Sequence, residues 1–263
     1  MFKLVISNRK GGTGKTTVSV NLAAELAAAG KRVLLIDLDS QGHCAVGLGL
    51  KLASDSPTIH DLFSKPGTTL SRTIHQTDFA NLSIAPADGL FEHGSGLRDA
   101  RLLLNGLSEP EIASRYDVVI MDTPPSHDVL LLNALTAANF ILVPFVPHPL
   151  SYEGLRQLMR VLFKVISREN RALKIAGFLP VMSSNQIRQH HAIKSDVGRQ
   201  FGSSRVMQGI RNDIQLAEAF AVGKPIRYYA PKSRGAKDFA NLAKTILEKM
   251  GADGVIGPAE IEH

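Results

Sequence analysis

Cysteine is nearly absent from this sequence of 263 residues, which contains Cys44 and no other. A single cysteine excludes a disulfide framework within the chain, and it excludes a metal cluster held by several cysteines of one chain. The sequence also shows no secretory signal, and no apolar run approaches the roughly 18 residues that span a bilayer. We therefore expect a cytoplasmic protein without a transmembrane segment.

Positive charge is concentrated in one part of the sequence. The formal net charge is +6, and the stretch from Arg188 to Lys237 holds ten lysines and arginines against three acidic residues. The rest of the chain is therefore close to neutral. This asymmetry is a property that bears on binding partners rather than on the fold, and it favours a polyanionic partner.

A glycine-rich segment, Asn8 to Thr17, follows the short apolar run from Leu4 to Ile6. A strand that ends in such a turn and leads into a helix points several backbone N–H groups at one place, which makes an anion site. A lysine in the turn can reach the β- and γ-phosphates of a nucleotide, and the hydroxyl after it can take a place on Mg²⁺. The predicted nucleotide-binding residues are Lys10, Gly11, Gly12, Thr13, Gly14, Lys15, Thr16 and Thr17.

Acidic residues stand at the ends of two further apolar runs. Asp37 and Asp39 close the run that begins at Val33, and Asp122 closes the run that begins at Asp117. In a parallel sheet the carboxyl ends of neighbouring strands meet at one edge, so these carboxylates can converge with the glycine-rich turn on one Mg²⁺-nucleotide. Glycines that form a turn and aspartates that cap strand ends would explain the glycine-rich segment and each acidic strand end one by one. They do not explain why all three occur together in one chain.

Apolar runs alternate with helical patterns along the chain, which predicts an α/β fold with a doubly wound, mostly parallel sheet flanked by helices. Strands are predicted over residues 2–7, 33–39, 81–85, 117–122, 140–145, 175–181 and 205–210. Helices are predicted over residues 14–29, 96–104, 151–167, 187–201, 213–222 and 237–250. We expect a single domain over residues 1–250 and a polar, flexible tail over residues 251–263.

Five segments in order resemble the ParA/MinD family of P-loop ATPases. The glycine-rich turn lacks the standard first glycine and instead carries a second lysine at its front, Lys10, which is similar to the deviant P-loop of that family. Residues 32–42 and 116–126 resemble its second and third motifs. Residues 216–219 together with 223–225, and then residues 231–235, resemble its carboxyl-terminal signature. The ParA/Soj partition and positioning branch is the most similar. Three positions depart from the usual pattern: Thr13 replaces valine, Ser40 replaces proline and His43 replaces asparagine.

The resemblance implies a Mg²⁺-dependent ATPase that forms a homodimer with ATP between the subunits. Lys10 would reach the phosphates of the partner subunit, Lys15 would hold the β- and γ-phosphates of its own, and Asp39 would orient the attacking water. The resemblance makes Lys10, Lys15 and Asp39 the catalytic residues and Thr16, Asp37 and Asp122 the metal residues. Because no strong general base is evident, we expect slow hydrolysis that serves as a timer.

The basic stretch suits sequence-independent contact with DNA phosphates. No helix-turn-helix precedes the glycine-rich turn, and no aromatic residues interleave with the basic ones, so double-stranded DNA is favoured over single strands. We therefore expect the protein on the nucleoid. By resemblance, the candidate DNA-binding residues are Arg188, Arg199, Lys224, Arg227, Lys232, Arg234, Lys237 and Lys244.

The leading functional hypothesis is an ATPase that partitions or positions a cargo on the nucleoid, with hydrolysis stimulated by a separate adaptor or ParB-like protein. The cargo stays open: a plasmid, a chromosome locus, or a protein body such as a carboxysome or chemosensory cluster. The alternative is a MinD-like ATPase of the membrane surface, which needs a basic amphipathic helix at its carboxyl end, where this sequence has Pro258 and several glycines. Metabolic or electron-transfer relatives with cysteine pairs, and a binding module without activity, fit less well.

Overall fold

The computed structural model describes residues 1–92, 99–126, 128–184 and 186–252. Within these ranges, seven strands form one sheet in the order β3-β4-β2-β5-β1-β6-β7. All neighbouring strands are parallel except β3 and β4, which are antiparallel. The strands are β1 (Phe2–Ile6), β2 (Val33–Asp37), β3 (His75–Gln76), β4 (Leu82–Ala85), β5 (Val118–Asp122), β6 (Phe140–Phe145) and β7 (Lys174–Pro180).

The inner strands are apolar along their whole length because helices cover both faces of the sheet. Every residue of β2, β5 and β6 is buried, which is the pattern of parallel strands between two helical layers. The helices are α1 (Lys15–Ala28), α2 (His43–Gly47), α3 (Asp61–Ser64), α4 (Leu102–Ser108), α5 (Pro110–Arg115), α6 (Val129–Ala137), α7 (Ser151–Arg168), α8 (Arg188–Phe201), α9 (Ile214–Ala221), α10 (Ile226–Tyr229) and α11 (Arg234–Ala252). Single 3₁₀ turns span Leu70–Thr73 and Ser203–Arg205.

Helices pack on both faces of the sheet, and each face has its own apolar core. Helices α1 and α11 pack on one face, where Leu22, Leu26 and Phe239 are fully buried. Helices α4, α6, α7 and α8 contribute to the core of the other face. The α7 residues Leu155 and Leu162, predicted from their helical spacing to lie in the core, are fully buried there. The predicted doubly wound α/β fold is thus confirmed.

The predicted last strand over residues 205–210 is wrong. Arg205 ends a 3₁₀ turn and irregular chain follows it, and this segment contacts the sheet through a single bridge, Phe178 to Val206. Just beyond it, Arg211 forms a bridge to Ser183. The short edge strand β3 was not predicted, because two residues are too few for a period-2 pattern to stand out.

Two other predictions extend beyond the described residues. The predicted helix over 96–104 falls partly on residues 93–98, which are not described, and the described helix begins later, at Leu102. Most of the predicted tail, residues 253–263, also lies outside the described residues. The division into a domain over 1–250 and a tail stays a prediction. No helix in the described ranges is both long enough and apolar enough to cross a bilayer.

A close approach of two backbone segments ties α9 to α2. Gly223, after α9, and Gly49, after α2, both have φ near +66°, and a Cβ added to Gly223 would lie 2.5 Å from the Gly49 Cα. Gly223→Ala is therefore expected to lower the free energy of unfolding by about 3 kcal/mol, because it adds an overlap with backbone to the strain of a left-handed residue. Urea unfolding measures this loss.

Gly30→Ala is the matched control. Gly30 also has positive φ, +82°, but a Cβ there would meet no atom within 4 Å. Its expected loss is about 1 kcal/mol, from backbone strain alone. Equal losses for the two variants would show that the contact between Gly223 and Gly49 adds nothing to stability.

Candidate nucleotide site

The loop between β1 and α1 presents unpaired backbone donors. Helix α1 begins at Lys15, and its N-cap, Gly14, has φ +70° and offers no side chain to the first turn. The first turn also contains no acidic residue, so its N–H groups are free to bind an external anion. Asn8 anchors the front of the loop, because its amide nitrogen donates to the Pro144 carbonyl at 2.7 Å and its oxygen accepts from the Lys10 N–H at 3.1 Å.

A hydroxyl and a carboxylate meet where α1 crosses the end of β5. The Thr16 hydroxyl donates to Asp122 Oδ2 at 2.7 Å, and the Ser19 hydroxyl donates to Asp122 Oδ1 at 3.0 Å. Asp122 is fully buried and lies opposite Asp37 in the register of β2 and β5. The structure thus brings together Thr16, Asp37 and Asp122, the three predicted metal residues.

Burial makes these two carboxyl groups costly to ionise. It raises the pKa of Asp37 well above its ordinary range, and the neighbouring Asp122 raises it further, although two backbone N–H groups bind Asp37 and oppose the shift. Burial also raises the pKa of Asp122, against the opposing effects of the Thr16 hydroxyl and the Lys15 charge. A divalent cation beside this pair would relieve the cost, and oxygen ligands are those that Mg²⁺ prefers. The residues present therefore fit Mg²⁺.

Cys44 completes the floor of the site. Its Sγ lies 3.5 Å from Asp122 Oδ2 and its N–H donates to Asp37 Oδ2 at 2.9 Å. The side chain is fully buried, and burial raises the pKa of its thiol well above the ordinary range. It is an uncharged core residue.

The two lysines of the loop occupy different places. Lys15 is 7% exposed and lines the cleft above the loop together with the glycines and Thr16. Lys10 is half-buried and does not line that cleft. Its side chain lies beside α7: a Cβ added to Gly154 of that helix would be 3.8 Å from the Lys10 Cβ. Asp39 lines the cleft and is half-buried, and its Oδ1 accepts the Gln41 N–H at 3.1 Å.

Comparison with known proteins agrees with this geometry. A family model described as an AAA domain, AAA_31, matches residues 1–175. The chromosome partitioning protein ParA of Caulobacter vibrioides is 34% identical over 251 residues, which cover 94% of each chain. The sporulation initiation inhibitor protein Soj of Bacillus subtilis is 34% identical over 250 residues, which cover 92% of this chain and 97% of Soj. The chain belongs to the ParA/MinD family of deviant P-loop ATPases.

Solved structures share the fold over nearly the whole chain. Cobyrinic acid a,c-diamide synthase from Mycobacterium smegmatis, with bound ADP and magnesium, superposes with a TM-score of 0.77 at 27% identity and 97% coverage of both chains. Apo McdA from Cyanothece superposes with a TM-score of 0.82 at 20% identity, over 94% of this chain and 99% of that one. The likeness to McdA concerns the fold alone. The cleft described above fits the nucleotide and metal of this ATPase family, ATP and Mg²⁺.

The cleft of this ParA/MinD-family chain extends beyond the phosphate loop in a direction that the sequence analysis missed. Its volume is about 1030 Å³, and its far wall comes from the chain after β7 and from the start of α9. This wall includes Val181, Met182, Asn212, Asp213 and Ile214. Its position beside the loop suits the base and sugar of a nucleotide. The rule that ligands bind at the carboxyl ends of parallel strands could have indicated Val181 and Met182. Ile210, in contrast, was obscured by the wrongly predicted strand over residues 205–210, and residues 211–212 belonged to no predicted element.

The predicted DNA-binding residues do not form one surface. Lys224, Lys232, Lys237 and Lys244 are exposed on the face of α1 and α11 or beside it, whereas α8, which carries Arg188 and Arg199, belongs to the opposite layer. Two of the candidates are already in ion pairs. Arg227 binds the buried carboxylate of Glu25 on α1, and Arg199 binds Asp196 on its own helix. Arg234 is exposed and donates to the Asn212 carbonyl at 3.4 Å.

Proposed function

We propose that this chain is a ParA/Soj-type ATPase that partitions or positions a cargo on the nucleoid. The observation that carries the proposal is the bond between Thr16 and Asp122 beneath an uncapped phosphate loop, in a chain that matches chromosome partitioning proteins over nearly its full length. A hydroxyl fixed beside buried carboxylates is suited to Mg²⁺ at the β- and γ-phosphates. The reaction is hydrolysis of ATP to ADP and phosphate, and Mg²⁺ is required.

The proposed mechanism divides the chemistry between two subunits. Lys15 neutralises the phosphates of its own subunit, and Asp39, which lines the cleft, orients the attacking water. Lys10 acts across the interface of an ATP-bridged homodimer. Asp39 lines the cleft and accepts the Gln41 N–H, and a carboxylate that orients the water suits slow hydrolysis that a separate adaptor or ParB-like protein stimulates.

In this proposal ATP favours a dimer that binds double-stranded DNA without sequence specificity, and hydrolysis releases it. The exposed lysines near α9 to α11 are the proposed phosphate contacts. Arg227 contributes less than they do, because its charge is already compensated by Glu25. Binding through such contacts makes the protein nucleoid-associated in the cytoplasm, with the plasmid, chromosome locus or protein body as its cargo.

Retention of duplex DNA of unrelated sequence, measured with ATP, with ADP and without nucleotide over a salt series, tests this proposal. We expect retention only with ATP and a steep loss with salt. Lys224→Glu with Lys232→Glu should weaken retention by at least about tenfold and reduce the salt slope by about 2. Arg227 is left unchanged, because a glutamate there would face Glu25 and disturb the fold.

Lys51→Glu with Arg72→Glu is the matched control, since both residues are exposed and lie outside the basic stretch. An equal loss of DNA retention in both double variants would show that net charge, and not the proposed surface, controls binding. Absence of DNA binding in every nucleotide state would refute the nucleoid function, and binding to anionic vesicles instead would favour the MinD-like alternative.

A further inference from the structure

A second basic surface lies beside the phosphate loop, outside the nucleotide cleft. A depression of about 460 Å³ is lined by Arg9, Gln157, Arg160, Val161 and Lys164. Arg9 directly precedes Lys10, and the other four residues belong to α7. We call these five residues the α7 basic pocket.

Arg9 forms one wall of the α7 basic pocket, and one of its N–H donors has no acceptor. Its Nη1 donates to Gln157 Oε1 at 2.9 Å, and the Gln157 Nε2 in turn donates to Glu153 Oε1 at 3.2 Å. The Nε of Arg9 is buried and has no hydrogen-bond partner among the described residues. A buried N–H without an acceptor is uncommon in proteins, so the contacts of this chain leave the guanidinium of Arg9 incompletely satisfied.

Three cations continue the surface along the helix. Arg156, Arg160 and Lys164 follow one another at intervals of four residues, so they lie on one face of α7, and all three are exposed. No ion pair involves them in the part of the chain that the structure describes. Glu153 is the acidic residue on this part of the helix, and it is bonded to Gln157. The face therefore has a net positive charge.

An exposed aromatic ring lies within this face. Phe163, between the last two positions of the pocket on α7, is 74% exposed, whereas the opposite side of the helix is fully buried through Leu155, Leu158 and Leu162. Arginine and exposed aromatic residues are enriched where proteins contact other proteins. The core layer of α7 is the one across the sheet from α1 and α11. The surface is therefore separate from the proposed DNA contacts near Lys224.

We propose that the α7 basic pocket and Phe163 bind an acidic peptide segment of a partner protein, with carboxylates at alternate positions and apolar residues between them. Residues four apart on a helix are separated by about 6 Å along its axis. Alternate residues of an extended peptide are about 6.6 Å apart, so its carboxylates match the cations of α7 one to one. Arg160, which is exposed, can hold a carboxylate through two N–H groups.

The chemistry of the surface favours this occupant over a DNA duplex. A duplex presents phosphates on a convex surface and leaves the exposed ring of Phe163 and the apolar Val161 in the pocket without a partner. An acidic and apolar peptide can occupy the depression and cover the ring. The same charges repel a basic segment, so this surface is not the docking place of an adaptor that acts through basic residues. The inference does not depend on the proposed DNA function.

Fluorescence anisotropy of the full chain with a fluorescein-labelled peptide that alternates glutamate with leucine tests the proposal. We expect saturable binding, which Arg160→Glu with Lys164→Glu weakens by at least about tenfold. Phe163→Ala should weaken it by about fivefold while leaving DNA retention unchanged. All these side chains are exposed, so the urea midpoints of the variants should equal that of the parent chain.

Lys51→Glu with Arg72→Glu again serves as the control of equal charge, and it should leave peptide binding within about twofold. An equal loss in both double variants would refute the site, because long-range charge would then explain the binding. Absence of peptide binding would also refute it. A duplex or anionic vesicles that lose binding in Arg160→Glu with Lys164→Glu, while the peptide does not, would assign the surface to nucleic acid or lipid instead.

Discussion

Replacing Lys15 by glutamine is expected to weaken ATP binding by the isolated chain at least about a hundredfold, because it removes a charge-assisted contact to phosphate in a site of low polarity. Lys15 is buried, lines the cleft and lies close enough to Asp122 to lower its pKa. In Lys15→Gln the uncharged amide also leaves Asp122 without that compensation. The shift of the melting temperature by Mg²⁺-ATP measures the effect, and we expect it to vanish.

Replacing Lys10 by glutamine should have a different result. Lys10 lies outside the lining of its own cleft, so ATP binding by the isolated chain should stay within about threefold of the parent value. ATP-dependent dimerisation, measured by sedimentation, should be lost if Lys10 contacts the nucleotide of the partner subunit as proposed. Lys51→Gln, a change of the same type on an exposed loop, should affect neither property. Equal loss of ATP binding in Lys10→Gln and Lys15→Gln would contradict this division of roles.

The part of the site that would hold the phosphates was predictable because short sequence segments indicate it. A glycine-rich turn after an apolar run, and aspartates that end two further runs, are visible without knowledge of the strand order. The rule that parallel strands present their carboxyl ends at one edge then brings them together, and the register places Asp37 opposite Asp122. The contact between Thr16 and Asp122 follows from this topology and from the helix that the loop begins.

The wall of the cleft formed by residues 210–213 was less predictable, since these residues precede α9 and belong to no helix or strand. The apolar residues Val206 and Ile210 suggest a strand, but Val206 makes a single bridge, to Phe178 of β7, and the Ile210 N–H donates to the Pro180 carbonyl. A Cβ on Gly209 would lie 2.8 Å from the same carbonyl oxygen. Arg211 is then fixed by Asp238 of α11, with Nη2 2.8 Å from Oδ1. Such a segment is shaped by contacts distant in sequence, which periodicity does not report.

The basic stretch shows a third kind of limit. Composition revealed the excess charge, but not which cations are already compensated, and the structure pairs Arg227 with Glu25 and Arg211 with Asp238. The spacing of Arg156, Arg160 and Lys164 on α7 was also visible in the sequence. This spacing alone does not predict a binding surface, because the apolar face of the helix already explains the amphipathic pattern. A lysine or arginine therefore indicates a binding surface only when the structure shows whether an acidic residue of the same chain already pairs with it.

Replacing Asp122 by asparagine is expected to stabilise the chain in the absence of nucleotide while abolishing its response to Mg²⁺-ATP. Burial raises the pKa of Asp122 in the folded chain above the value of about 3.9 in an unfolded one. Ionised Asp122 therefore costs stability, and the cost develops as the pH rises from about 4 through the folded pKa. Asparagine removes the charge, and its amide can bond to the hydroxyls of Thr16 and Ser19, which rotate to suit it.

Urea unfolding without nucleotide, over a pH series, measures the effect. At pH about 8 the variant should be more stable than the parent by about 1–2 kcal/mol, and the difference should vanish towards pH about 4. Asp55→Asn, on an exposed loop, should show no such dependence. A variant less stable than the parent at every pH would mean that Lys15 and the two hydroxyls stabilise the carboxylate by more than its burial costs. The gain in stability together with the loss of the Mg²⁺-ATP response would show that this buried carboxylate is kept for the metal and not for the fold.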